Sequence, residues 1–154
     1  MARISEKSPL YRPKTVICED IAHVLNDRRL HHCAKFAVID QAIWIWSEFD
    51  GKYKGCRLWS EEALLGDPRN GPLVHEHPVP RKEIRDRLFG LNPASPQSVR
   101  DVMEKYCLGV VITKREDLEL VKAGLNSSMP KRWRGSDVFA RYRKVGIRVR
   151  QVAA

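Results

Sequence analysis

The residues best equipped for chemistry stand together at His75-Glu76-His77, the densest set of metal ligands and bases in this 154-residue chain. An imidazole nitrogen binds a metal or takes a proton near neutral pH, and a carboxylate offers oxygen to a hard cation. On a strand, residues 75 and 77 share one face while residue 76 points to the other. His75 and His77 thus read as a two-histidine metal pair, or as structural groups bonding Glu76 or backbone carbonyls across a turn. Downstream, Val110-Val111-Ile112-Thr113 leads directly into Lys114-Arg115-Glu116-Asp117, which adds two further carboxylates.

The elements that must position these residues follow from periodicity. Val16, Ile17, Ile21, Val24 and Leu25 predict a first helix over about 16–27. The apolar stripe from Leu30 to Trp46 predicts a main core helix ending near Asp50-Gly51, with Trp44 and Trp46 packed inside because such rings bury large areas. Ser60 caps a short helix whose first turn carries Glu61 and Glu62 and whose stop is Gly66. Leu73 to His77 is a short strand broken by Pro78 and Pro80. A helix follows over Arg81 to Phe89, and another from Ser95, with Pro96 in its first turn, to about Cys107. Residues 108–113 form the best strand, and Thr113-x-x-Glu116 has the spacing of a capping box. The helix it opens is expected to turn Leu118 and Val121 inward and stop near Gly124. Ser136 is expected to cap a last helix that carries Val138, Phe139 and Tyr142. The fold class is α+β: a mostly helical single domain over 15–154, with a small two-stranded β element, preceded by an extended arm over 1–14.

The run Glu76-His77-Pro78-Val79-Pro80-Arg81, followed by the strand-to-helix segment Val110–Asp117, resembles the HNH, or ββα-metal, nucleases over roughly residues 57–125. In that family the first strand ends in Asp/Glu-His, often before Ile/Val-x-Pro. The resemblance implies a ββα-metal-like motif with His77 as the general base that activates water. Glu76 would be a ligand for a divalent cation, magnesium or manganese, with Arg81 on a phosphate. Phosphodiester hydrolysis needs such a base and a cation to offset developing charge. Adjacent residues on opposite strand faces meet both needs only if the strand bends at its end, which Pro78 encourages. The sequence departs from the family where an Asn or His ligand belongs on the second helix. The nearest positions are Asp117, which suits magnesium, and Leu118, which does not. The insertion from Arg81 to Cys107 is long, and there are no Cys-x-x-Cys pairs. The expected metal set is Glu76, Asp117 and His75.

Charge adds a partner. The chain carries 28 Lys+Arg against 19 Asp+Glu, a formal +9, which favours nucleic acid among anionic partners, DNA first. Most of this surplus sits between residues 131 and 150, where Lys131, Arg132, Arg134, Arg141, Arg143, Lys144, Arg148 and Arg150 face one acid, Asp137. Trp133 and Tyr142 lie among them, offering rings to stack on bases beside forked donors for phosphate. The function classes that follow are a small metal-dependent HNH-like nuclease acting on DNA, and a non-enzymatic nucleic-acid-binding regulatory or phage-type accessory protein. A protein-binding module of inhibitor or immunity type is permitted by the acids and the Trp-rich helix. No apolar run approaches the roughly 20 residues that span a bilayer, so no membrane partner is expected. The N-terminus lacks a secretory pattern, and the scattered Cys18, Cys33, Cys56 and Cys107 read as reduced, mostly buried thiols of a cytoplasmic protein. His23, His31 and His32 read as structural.

Overall fold

A computed structural model describes residues 13–48, 52–53 and 55–152. Most of the predicted 1–14 arm lies outside them. Two helices open the described chain, α1 (Lys14–Asn26) and α2 (His32–Ser47), packed as a hairpin. Then come β1 (Leu58–Ser60), α3 (Glu61–Leu65), a single 3-10 turn at Pro68–Asn70, and β2 (Leu73–Glu76). Helices α4 (Arg81–Phe89) and α5 (Pro96–Tyr106) precede β3 (Val110–Thr113) and α6 (Lys114–Lys122). The described chain closes with α7 (Ala140–Val145) and β4 (Val149–Gln151). No helix among the described residues is long and apolar enough to cross a membrane.

The expected two-stranded element is in fact a four-stranded mixed sheet in the order β2-β3-β1-β4. β3 pairs antiparallel with β2 and parallel with β1, and β4 pairs antiparallel with β1. The two extra strands are three residues each, too short for periodicity to separate from turn or tail. β4 nevertheless has a period-2 trace, since Ile147, Val149 and Val152 alternate with or flank Arg148 and Arg150.

Parallel pairing sets β1 and β3 side by side, and each runs straight into a helix. Their caps interlock. Ser60 Oγ accepts from Ala63 N at 3.0 Å to start α3, and Thr113 and Glu116 form the expected capping box that starts α6. The Glu116 carboxylate, buried at 6% exposure, accepts from Thr113 N at 2.9 Å and from Ser60 Oγ at 2.6 Å. It thus fills the space between two positive helix ends with an internal anion.

That staple also fixes the phase of α6. With Glu116 turned in, the next inward position one turn on is Leu120, at 1% exposure. Leu118 and Val121, expected inside, lie 45% and 49% exposed. Ser136 is not the last cap either: α7 begins at Ala140, after a turn in which Asp137 Oδ1 accepts from Phe139 N at 3.0 Å.

Two large apolar clusters fill the interior. One gathers α1, α2, α4 and α5 around Ile21, Ile39, Ile43, Leu88, Val99 and Met103. The other lies between the sheet, α6 and α7, with Val110, Ile112, Leu120, Tyr142 and Ile147. Strand alternation sends Val110 and Ile112 of β3 into this second cluster, while Val111 packs with Ala63 and Cys56 on the opposite face. β2 obeys the same rule, and this decides where its histidines and its carboxylate go.

Candidate functional site

Val74 of β2 packs against the cluster beneath α6 and α7, so Glu76, two residues on, faces that side too. Its carboxylate meets two consecutive residues of α7: Arg141 Nη2 donates to Oε1 and the Tyr142 hydroxyl donates to Oε2. Both partners are fully buried. The same guanidinium has every edge occupied. Nε donates to the Pro78 carbonyl at 2.9 Å, Nη1 to the Leu125 carbonyl at 2.6 Å, and Nη2 also to the His77 carbonyl. A buried arginine survives only when paired and fully hydrogen-bonded, and this one is. Burial pushes the Glu76 carboxyl up, against the downward pull of Arg141 and Tyr142. It also drives the Tyr142 phenol well above its ordinary range, so that it stays a donor.

The histidines take the opposite face, as alternation requires. Their rings meet edge to face, with centroids 5.8 Å apart. His77 Nε2 lies 2.8 Å from Ser47 Oγ at the C-terminus of α2, and its ring meets Trp44 at 5.4 Å. Ser47 Oγ itself donates to the Trp44 carbonyl at 3.2 Å, which makes the hydroxyl an acceptor for His77 Nε2–H. His75 is buried; neither ring nitrogen has a partner in good hydrogen-bond geometry, though the Ser47 backbone lies close enough to pull its pKa back up in part. The ring lies against Gly109, where any Cβ would overlap it. Burial pushes His75 down to about 4 and His77 down to about 3, and positive neighbours add to this. Both rings are therefore neutral at neutral pH.

The structure thus separates residues that the sequence placed side by side. β2, β3 and α6 do form an antiparallel pair followed by a packed helix. Within it, Glu76 faces α7 and His77 faces α2. Pro78 does not bend the chain enough to reunite them; its carbonyl serves Arg141 instead. Asp117, the other expected ligand, is paired with Lys114, one helical turn away at the start of α6. It is near enough to Glu76 to raise that carboxyl by repulsion. Both Glu76 oxygens are already held by α7 donors, and among the described residues no group of three or more His, Cys, Asp or Glu is placed to hold a metal ion. As arranged, these side chains do not fit a magnesium or manganese ion. Arg81, expected on a phosphate, pairs with Asp40 at 3.0 Å and lies over the Trp44 ring.

The basic segment divides in the same way. Arg141 and Tyr142 leave the expected nucleic-acid-binding set because they have no surface to offer a phosphate. Trp133 is half-buried: its indole donates to the Asp137 carbonyl at 2.6 Å and meets Tyr106 edge-on. Arg143 pairs with Asp137, Arg150 with Glu61 at 2.7 Å, and Arg148 with the same Glu61 at 3.8 Å. Lys131, Arg132, Arg134 and Lys144 are exposed, and among the described residues none has a carboxylate partner.

Two features escaped the sequence. Ser47 became the partner of His77 only through folding, since 30 positions separate them. The pairing of Glu76 with an Arg-Tyr dipeptide left no local signal, although an arginine beside an aromatic in a helix otherwise turned toward the core was a hint.

Compared with known proteins, the chain matches no family model, no curated protein and no solved structure. The resemblance to HNH nucleases rests on the sequence segments Glu76–Arg81 and Val110–Asp117 alone.

Proposed function

We propose that this protein is a non-enzymatic nucleic-acid-binding protein, of regulatory or accessory type, that holds the phosphate backbone with the exposed part of its C-terminal basic segment. One observation carries this reading. Once Arg141 is withdrawn into the fold, residues 131–150 still present seven cations against the single acid Asp137, and four of the seven are exposed with no carboxylate partner among the described residues. Such cations retain their full charge toward an external anion. Contacts to phosphate give affinity without sequence information and release condensed counterions.

The test is binding of the full chain to a mixed-sequence DNA duplex and to a single strand of equal length, across a range of salt. The affinity is expected to fall steeply as salt rises and to be independent of magnesium. Lys144→Ala is expected to weaken binding to all sequences alike. Affinity that ignores salt would overturn the reading. Magnesium- or manganese-dependent nicking that disappears in a folded His77→Ala variant would replace it with the nuclease reading.

A further inference from the structure

One cation outside the basic segment has an unusual environment. Arg87, in the last turn of α4, is half-buried, yet among the described residues it makes no ion pair and no hydrogen bond, and its Nε is buried without a partner. It is instead held by rings: its guanidinium carbon lies 4.4 Å from the Tyr106 centroid and 4.9 Å from that of Trp133. Rings can hold the plane of a guanidinium but cannot satisfy the N–H groups around its edge. Only Nε is closed off; the terminal Nη1 and Nη2 groups reach solvent with no protein acceptor among the described residues, and so stand open to an anion.

The chain around Arg87 supplies a setting for that anion. The loop Lys131–Gly135 crosses directly over it. Trp133 points inward and fastens the loop, while Lys131, Arg132 and Arg134 point outward. Arg132 has φ 68°, the single positive φ among described non-glycine residues, so this loop holds a backbone conformation that the surrounding contacts must stabilise. Gly135, at φ +86°, lets the backbone close onto the pair beneath. A Cβ there would stand 2.9 Å from the Tyr106 hydroxyl and 3.0 Å from Arg87 Nη2. The Tyr106 hydroxyl locks this approach by donating to the Gly135 carbonyl at 3.0 Å. Lys105, whose Nζ lies 5.0 Å from the Tyr106 ring centroid, adds a further positive charge.

We infer that Arg87 and the loop Lys131–Gly135 form a pre-organised phosphate site, and that it takes a phosphodiester group of the nucleic-acid backbone. Arg87 supplies the solvent-facing Nη end of its fork, with its plane fixed by Tyr106 and Trp133. The exposed Lys131 and Arg134 of the neighbouring loop add positive charge around it. The inference rests on the nucleic-acid reading and sharpens it, because it puts the centre of the contact on a residue of α4 that the charge distribution along the sequence did not mark.

The experiment compares the full chain with Arg87→Gln, Arg87→Lys and the surface double variant Lys131→Ala/Arg134→Ala, each first checked for a cooperative thermal transition. Readouts are affinity for the DNA duplex against salt, and calorimetric titration with inorganic phosphate. Arg87→Gln is expected to weaken duplex binding by about tenfold and to lower the salt slope by about 1; the double variant is expected to lower it by about 2. Arg87→Lys is expected to keep the slope while losing part of the affinity, because a point charge replaces the fork. If Arg87→Gln fails to fold, the slopes of Arg87→Lys and the double variant decide. Duplex binding by the parent chain that is unchanged in affinity and slope in the folded variants overturns this site and leaves the nucleic-acid reading standing. Absence of duplex binding by the parent overturns both. Inorganic phosphate binding that depends on Arg87, with duplex binding that does not, assigns the site to a free phosphate and overturns the backbone assignment.

Discussion

The Arg141 guanidinium and the Glu76 carboxylate, 65 positions apart in the chain, form an ion pair whose arginine side is closed to solvent, at 0% side-chain exposure against 15% for the glutamate. It ties α7 to the end of β2, and the hydroxyl of the next residue, Tyr142, completes the carboxylate. The most basic stretch of the sequence therefore holds one of the principal internal fastenings of the fold.

Removing one side of such a pair leaves the other buried and uncompensated. Arg141→Met is expected to destabilise the protein by about 3–5 kcal/mol, the range for breaking a buried ion pair. The double variant Arg141→Met/Glu76→Met is expected to be more stable than the sum of the single losses predicts. Urea denaturation of the two singles and the double gives the coupling directly. Strictly additive losses would show that the two residues act independently. Folded Arg141→Met protein is expected to retain its salt slope for DNA, unlike the variants of the exposed loop.

Acid sensitivity should trace to the histidines. Both have native values pushed below the ordinary 6.5, His75 to about 4 and His77 to about 3. Below about pH 6.5 the unfolded chain binds protons at these positions while the native chain does not, so stability falls with falling pH. The loss begins near pH 6.5 and continues to about pH 4 for His75 and about pH 3 for His77. Each contributes on the order of a few kcal/mol at the acid limit. His75→Leu is expected to flatten the pH dependence of the denaturation midpoint between pH 6 and 4, since it removes the buried imidazole whose protonation is suppressed there. An undiminished slope in that variant would assign the acid sensitivity to other groups.

Gly109 carries no side chain because His75 occupies that space. Gly109→Ala is expected to cost about 1–3 kcal/mol through overpacking, with the Ser47 carbonyl, 3.1 Å from the added carbon, limiting any shift of the backbone. Combining it with His75→Ala is expected to recover part of the loss. Thermal melts of the four proteins in this cycle test the contact. Full additivity would mean that the backbone at 109, and not the imidazole, is what resists the methyl group.

Local chemistry was legible in the sequence wherever a feature is satisfied by residues a few positions away. Ser60 and Gly66 bound α3 as their types required, with Gly66 at φ 63°. The Thr113–Glu116 capping box formed as spaced, and the alternation of β2 put His75 and His77 on one face. The inward face of α6 was not legible. Its deciding residue is a buried carboxylate rather than a leucine, and Glu116 is turned inward by Ser60, 56 positions away.

The sequence by itself determined the class of the fold, the positions of most helices and the sign of the charge toward the C-terminus, because periodicity, capping and composition are local or summed properties. Only the tertiary structure decided which charges remain for a partner. A cation's availability depends on whether a distant acceptor reaches it, so Arg141 is consumed by Glu76, Lys131 and Arg134 stay exposed, and Arg87 lies against the Tyr106 and Trp133 rings with no carboxylate partner among the described residues. Strand alternation had already set Glu76 and His77 on opposite faces. It took the packing of α2 on one side and α7 on the other to turn that alternation into two separate sites.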